Sequence, residues 1–223
     1  MPDGPDDIRS IVEQVLRSPD VAALLGGSRP GSAGSAAEAG PGVFPDVGGA
    51  VSAAAAARQE LAALPLDARR RLIDAVRRAV LDANETLSRE AVAETGLGNV
   101  PDKVAKNVLA ATKTPGVEDV EPVAWSDEHG LTLMERAPWG VIGAITPVTN
   151  PIATIASNAI GMIAAGNAVV FNVHPGAKGV SCRLVALLNG AIAAAGGPRN
   201  LLATVAEPTI ESAGELMRHP GIA

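Results

Sequence analysis

Residues 140–175, GVIGAITPVTNPIATIASNAIGMIAAGNAVVFNVHP, constrain the fold more tightly than any other stretch. Residues 140–146 are an apolar, β-branched run that stops at Pro147, the pattern of a buried strand. Beyond Pro151, apolar residues recur at Ile152, Ile155, Ala159, Ile160, Ile163 and Ala164, a helical spacing, and Gly166-Asn167 supplies a left-handed stop. Residues 168–173 form a second buried run that ends at His174-Pro175. Strand, helix and strand within about 35 residues make one right-handed βαβ unit, which requires a parallel sheet. Ligands of such sheets sit at the carboxyl ends of the strands. Here those ends are 146–150 and 172–175, and both carry more polar groups than a turn needs.

With 223 residues and 47% apolar side chains the chain can bury a core, and with only 2% aromatics Ala, Val, Leu and Ile must fill it. A net charge of −6 argues against a nucleic-acid footprint. Arg69-Arg70-Arg71 and Arg77-Arg78 flank the Leu72, Ile73, Val76, Val80 stripe of one helix, so they read as its solvated face. One cysteine excludes a disulfide framework and a Cys-based metal site. His129, His174 and His219 share no helical i,i+4 spacing that would suggest zinc, so no metal is expected. With no signal peptide and no apolar run long enough to span a bilayer, a cytoplasmic location is the default reading.

Residues 1–20 contain an amphipathic helix at 6–18, with Ile8, Ile11, Val12, Val15 and Leu16 on one stripe. Residues 21–42 read as a flexible Gly/Ser/Ala/Pro linker. A helix this short is marginal alone in water, so its place on a linker suggests folding against a partner. Docking on its own domain, or an unstructured leader, are the alternatives. Asp46 is expected to cap a helix over 51–63, Pro65 to break it, and Asp67 to cap a helix over 68–83. A separate helical segment over 84–94 closes at Thr95-Gly96-Leu97-Gly98. A helix over 103–113 then turns Val104, Val108 and Leu109 inward, and 117–128 make an irregular crossing anchored by Trp125. Residues 131–136 alternate as a half-exposed strand does. After His174-Pro175, a helix over 177–195 places Val180, Leu184, Leu187, Leu188 and Ala191 inward. A buried strand over 201–205, a helix over 209–218 and the opening of a fourth strand at 221–223 complete the chain.

Cys182, the sole thiol, lies on the helix face opposite the Val180, Leu184, Leu188 stripe, with nothing arranged to lower its pKa, and reads as inert. Asn150 follows a strand end, where a primary amide can donate to a developing oxyanion without itself titrating. An Asn that merely holds the turn before Pro151 is the competing reading. Asn172 and His174 offer polar groups at the next strand end, suited to ribose hydroxyls, or to a capping turn ahead of Ala177.

ITPVTNP (145–151), AAGNAVVFNVHPGAKGVS (164–181), GGPRNLLATVAEPTIESA (196–213) and ETGLGNVPDKVAKN (94–107) closely resemble CoA-acylating aldehyde dehydrogenases. More narrowly they resemble the propionaldehyde and acetaldehyde dehydrogenases packaged in bacterial microcompartments, and the match runs from 43 to 223. The resemblance implies an α/β fold with an aldehyde-dehydrogenase-like open parallel sheet, preceded by the tethered helix and several N-terminal helices. Residues 43–223 would be the N-terminal part of a cofactor-binding domain, ending before the catalytic domain, and 131–136 would belong to a small oligomerisation flap.

The resemblance also implies roles. Asn150 matches the Asn whose amide helps form the oxyanion hole. Thr146 and Pro147 match residues on the nicotinamide side of NAD. Asn172 stands where ordinary aldehyde dehydrogenases carry a Lys that contacts the adenosine ribose. His174, Pro175 and Gly176 continue that wall, and Pro208 and Thr209 lie near the adenine end. Family chemistry oxidises a short-chain aldehyde on a cysteine thiolate, passes hydride to NAD and transfers the acyl group to coenzyme A. Cys182 does not match that nucleophile's motif, so this polypeptide by itself is expected to be inactive, and homo-oligomeric only when complete.

Two readings follow: an acylating aldehyde dehydrogenase present without its catalytic cysteine region, or a non-catalytic microcompartment cargo module that keeps half a nucleotide site. In both, the helix over 6–18 resembles an encapsulation peptide whose partner is a microcompartment shell protein. Residues 1–20 fused to a fluorescent protein should enter a coexpressed shell. Encapsulation unchanged by Val12→Glu or Leu16→Glu would show that the apolar stripe is not the contact.

Overall fold

The computed structural model describes residues 40–223. The helix expected over 6–18, and nearly all of the linker over 21–42, lie outside the described residues.

The described part opens with β1 (Val43–Phe44), α1 (Val47–Ala62), α2 (Leu66–Thr95) and α3 (Val100–Lys113). Asp46 caps α1 by accepting from the Gly49 amide at 2.7 Å, so the helix begins four residues before the expected start. α2 is one 30-residue helix where two were expected. Asn84 does not interrupt it, because its side chain is buried and bonded elsewhere. Its amide donates to the Val104 carbonyl of α3 at 3.0 Å, and its Oδ1 accepts from Ser88 Oγ at 3.2 Å and Asn107 Nδ2 at 2.9 Å. Pro65, not Asp67, holds the cap position, and α2 ends on Gly96, left-handed at φ 69°.

α3 corrects a second expectation. Its inward residues are Lys103, Asn107 and Ala111, whereas Val108 is exposed and Leu109 is 60% exposed. The helix is seated on α2 by hydrogen bonds, so its apolar stripe does not mark its buried face. Arg77 adds to this seat by donating to the Ala111 carbonyl and, at 2.7 Å, to that of Thr114.

A short 3₁₀ turn at Val117–Asp119 leads to β2 (Val123–Asp127) and β3 (Gly130–Met134), an antiparallel pair with Trp125 opposite Thr132. The crossing expected over 117–128 is therefore partly a strand. Trp125 anchors nothing and is 54% exposed. Asp127 sets the turn by accepting from the amides of His129 at 2.8 Å and Gly130 at 3.1 Å. Every residue of both strands is exposed.

The remainder is β4 (Val141–Ile145), α4 (Pro151–Ala164), β5 (Ala168–Asn172), a 3₁₀ turn (Pro175–Ala177), α5 (Lys178–Ala194), β6 (Leu202–Val205) and α6 (Ile210–Arg218). The main sheet runs β1-β6-β5-β4, parallel throughout, with Gly143 opposite Val170 and Val170 opposite Ala203. α1 and α6 pack on one face, α4 and α5 cover the other, and α2 backs α4 and α5. Residues 221–223 are irregular where a strand was expected to open, though the Ala223 amide donates to the Val141 carbonyl of β4 at 3.0 Å.

Leu187, expected inward, is exposed. Asn189 turns in instead, and its amide donates to the Leu202 carbonyl at 2.6 Å, stitching α5 to β6. Pro175–Ala194 is long and apolar enough to cross a membrane by length and composition alone. It is the helix that covers the sheet, with Val180, Leu184, Leu188 and Ile192 buried.

The Asn84–Ser88–Asn107 cluster predicts a measurable cost on removal. Asn84→Ala should lower unfolding free energy by ~1–3 kcal/mol in urea titration, because buried donors lose their acceptor. The exposed neighbour substitution Asp82→Ala should change it by less than ~0.5 kcal/mol.

Candidate functional site

Three loops leave the carboxyl edge of the sheet, one each from β4, β5 and β6. After β4, the Thr146 amide donates to the Asn172 carbonyl at 3.2 Å and carries the ladder one residue further. That bond pulls Thr146 inside, only 3% exposed, where its Oγ1 is buried with no hydrogen-bond partner. Pro147 is exposed beside it, and Val148 is half-buried.

Asn150 holds the cap position of α4 at φ −137° and ψ 56°, yet its side chain caps nothing. Asp46, Asn99 and Thr209, by contrast, all accept a backbone N–H from the first turn of their helices. Among the described residues the Asn150 Nδ2 has only Thr149 Oγ1 within reach, at 3.4 Å. This half-buried amide therefore spends at most one of its two donors, on a long bond, at the rim of the sheet. With Lys106 and Leu109 of α3 and Thr154 and Ser157 of α4, it lines a groove of about 480 Å³.

Beneath the same loop lies Lys103, a residue that sequence reasoning missed. It is 7% exposed and donates to the Thr149 carbonyl at 3.0 Å. Burial, and then repulsion from Lys106, hold its ammonium below the usual lysine range. The signal was present as a polar stripe of Lys103 and Asn107 at i,i+4, but the apolar residues of α3 drew the inward assignment.

At the end of β5, Asn172 is 4% exposed, and both ends of its amide are engaged. Nδ2 donates to the Thr209 carbonyl at 3.3 Å, and Oδ1 accepts from Ser212 Oγ at 2.6 Å. Thr209 in turn caps α6: its Oγ1 accepts from the Ser212 amide at 3.1 Å, and its own amide donates to Ser212 Oγ at 2.8 Å. Asn172 thus joins the end of β5 to the start of α6. His174 is exposed, and its Nδ1 accepts from the Gly176 amide at 3.0 Å, which places a ring proton on Nε2. A Cβ on Gly176 would stand 3.4 Å from Val148 Cγ2, so the loops after β4 and β5 are in contact there. Pro175 and Thr209 are exposed, and Pro208 is buried.

The structure therefore gathers Thr146, Asn172, Thr209 and Ser212 into one bonded group, with His174, Pro175 and Gly176 beside Val148, while Asn150 stands over Lys103. Among the described residues no group of three or more His, Cys, Asp or Glu side chains could hold a metal ion.

A sequence profile of the Aldehyde dehydrogenase family matches residues 35–223. An acetylating acetaldehyde dehydrogenase of Salmonella typhimurium is 52% identical over 181 residues, which cover 81% of this chain and 38% of that protein. Among solved structures, a propionaldehyde dehydrogenase from the fucose utilisation bacterial microcompartment of Clostridium phytofermentans is 48% identical. Its TM-score is 0.79, and the match covers 82% of this chain and 42% of that one. A Rhodopseudomonas palustris propionaldehyde dehydrogenase, solved with bound CoA and an acylated cysteine, is 50% identical at TM-score 0.79, covering 81% and 42%. The chain thus spans about two fifths of the length of the relatives it matches.

Cys182 lies closer to the strand ends than its place on a helix flank suggested, with Sγ 3.9 Å from the Val205 carbonyl at the end of β6. Burial, helped by repulsion from Glu94 and Glu207, pushes its thiol up to about 11. A thiol there is only about 0.1% thiolate at pH 8. Iodoacetamide should alkylate the chain slowly at that pH, with a rate still climbing at pH 10. A rate that levels off near pH 9 would show an ordinary or activated thiol instead.

Proposed function

Because the chain belongs to the aldehyde dehydrogenase family, we propose that it supplies the NAD-side part of a CoA-acylating aldehyde dehydrogenase acting on short-chain aldehydes. The observation that carries this reading is the Asn150 amide, at the carboxyl edge of a parallel sheet and left unspent by its own helix. When a thiolate adds to an aldehyde, negative charge gathers on the carbonyl oxygen, and a fixed N–H donor stabilises it without titrating. Asn150 fills that role. The groove beside it would take the aldehyde's short alkyl group against Leu109 and Ala153.

The residues at the strand ends suit a nicotinamide dinucleotide. The buried, unpartnered Thr146 Oγ1 and neighbouring Pro147 would face the nicotinamide, and NAD when bound supplies the hydride acceptor. His174, with a free Nε2 donor, and Pro175 and Gly176 would border the ribose, and Pro208 and Thr209 the adenine end. Asn172 would act there mainly by holding α6 in place, since both ends of its amide are engaged. Coenzyme A is the acyl acceptor in this reading. The exposed β2–β3 hairpin would serve a homo-oligomer, and residues 1–20 would address the protein to the shell of a cytoplasmic microcompartment.

The thiolate itself must come from outside this chain, because Cys182 is its only cysteine and burial opposes its ionisation. That same observation favours the second reading, a non-catalytic cargo module retaining half a nucleotide site. A native protein mass near 22.4 kDa would support the module, and a larger one the enzyme.

Replacing the matched 181-residue segment of the Salmonella typhimurium relative with residues 43–223 tests the enzyme reading directly. The chimera should form acetyl-CoA and NADH from acetaldehyde, and the 223-residue chain alone should form neither. Asn150→Ala in the chimera should lower kcat ~10²–10³-fold with little change in the KM for NAD. Near-normal kcat with a raised KM would leave Asn150 as a turn residue only.

A further inference from the structure

The rigid platform under the Asn150 loop is α3. Asn99 fixes its start by accepting from the Asp102 amide at 2.9 Å, and Asn107 locks its register by donating to Asn84 and Ser88 of α2. From this platform Lys103 enters the interior, and its one hydrogen-bond acceptor is the Thr149 carbonyl. Among the described residues no carboxylate lies within ion-pair distance of it. An ammonium buried without a counter-ion is costly, and an apolar side chain of the same length would serve packing better.

We propose that Lys103 is a positioning residue for the Asn150 amide. By holding the Thr149 carbonyl, its ammonium fixes the rotation of the Thr149–Asn150 peptide, and so the direction in which the Asn150 side chain leaves the backbone. The need for such a device follows from Asn150 itself. A capping side chain is oriented by the N–H it accepts, and Asn150 accepts none and has only a long 3.4 Å bond to Thr149 Oγ1, which leaves its direction to the backbone beneath it. The depressed lysine pKa agrees with a burial that no partner offsets. The proposal rests on the reading of Asn150 as the oxyanion donor and adds what holds that donor in place.

The test reads the Asn150 side-chain NH2 pair in ¹⁵N-labelled 223-residue chain. Lys103→Met should move and broaden that pair while leaving the Asn107 pair in place, and Lys103→Arg should restore it. Lys103→Gln, which keeps a neutral donor for the Thr149 carbonyl, should move it less than Met does and decides the matter if the Met variant does not fold. An Asn150 pair that stays put in Met and Gln alike, or an Asn107 pair that moves as far, overturns the proposal.

In the chimera, Lys103→Met should cost about tenfold in kcat with Asn150 present and less than about twofold in the Asn150→Ala background. Additive losses there would remove Lys103's role and keep that of Asn150. A normal kcat in Asn150→Ala alone would instead remove the oxyanion reading.

Discussion

The parallel pairing of β5 on both of its edges is the constraint from which the remaining geometry follows. All five of its residues are buried, with β4 on one side and β6 on the other. A strand in that position cannot shift register by one residue without turning Phe171 and its neighbours to the wrong face. Right-handed crossovers then put α4 and α5 on the same face and bring all three loops to one edge. The last ladder bond, from Thr146 to the Asn172 carbonyl, belongs to the sheet and to the site at once. It buries the Thr146 hydroxyl and sets the level at which the β4 loop begins.

The second layer is held by the apolar face of α2, with Leu72, Ile73, Val76, Val80 and Leu87 buried in the core, and polar contacts fix how its helices are turned. α2 meets α3 through Asn84, Ser88 and Asn107, and reaches α5 through Glu94. That carboxylate accepts from the amides of Gly179 and Val180, at 2.7 and 2.8 Å, in the first turn of α5. Such bonds are directional, so they fix the rotation of a helix more sharply than a greasy stripe does. For α3 this matters, since its rotation decides whether Lys103 lies beneath the β4 loop or points to solvent.

Strands β4, β5 and β6 were legible in the sequence because each is a short apolar run bounded by Pro or Gly, whereas the two-residue β1 and the order β1-β6-β5-β4 were not, since they depend on pairings between distant residues. The helices were legible where an apolar stripe faces the core, as in α4, and misread where it does not. Val108 and Leu109 look like core and are exposed, while Lys103 and Asn107 look like surface and are buried. The Lys103, Asn107 pair at i,i+4 is the one local trace of that inversion; what decides it are the partners of Asn107 in α2, some twenty residues earlier, and of Lys103 in the β4 loop. Trp125 failed for a similar reason: a lone aromatic suggests an anchor, but in the β2–β3 pair it has no layer to insert into. The polar residues singled out at the strand ends do lie on the loops that follow β4, β5 and β6. That Asn172 is consumed by Thr209 and Ser212 came from a contact forty residues away in sequence.

The contrast among the helix starts says most about the site. Asp46, Asn99, Thr209 and Asn150 are all residue types that cap well, and three of them do. Forgoing a side-chain cap costs about 0.5–2 kcal/mol. At Asn150, Pro151 offsets part of that cost, because its ring is already set for the first helical position, where it leaves one N–H fewer to satisfy. The Pro that would make Asn150 a plain turn residue in the bland reading thus also starts the helix beside an amide that does not cap it. A donor released in this way, from a helix seated beside the fully buried strand β5, would meet a ligand at small conformational cost. Lys103, spent on the neighbouring carbonyl, gives that donor a fixed direction.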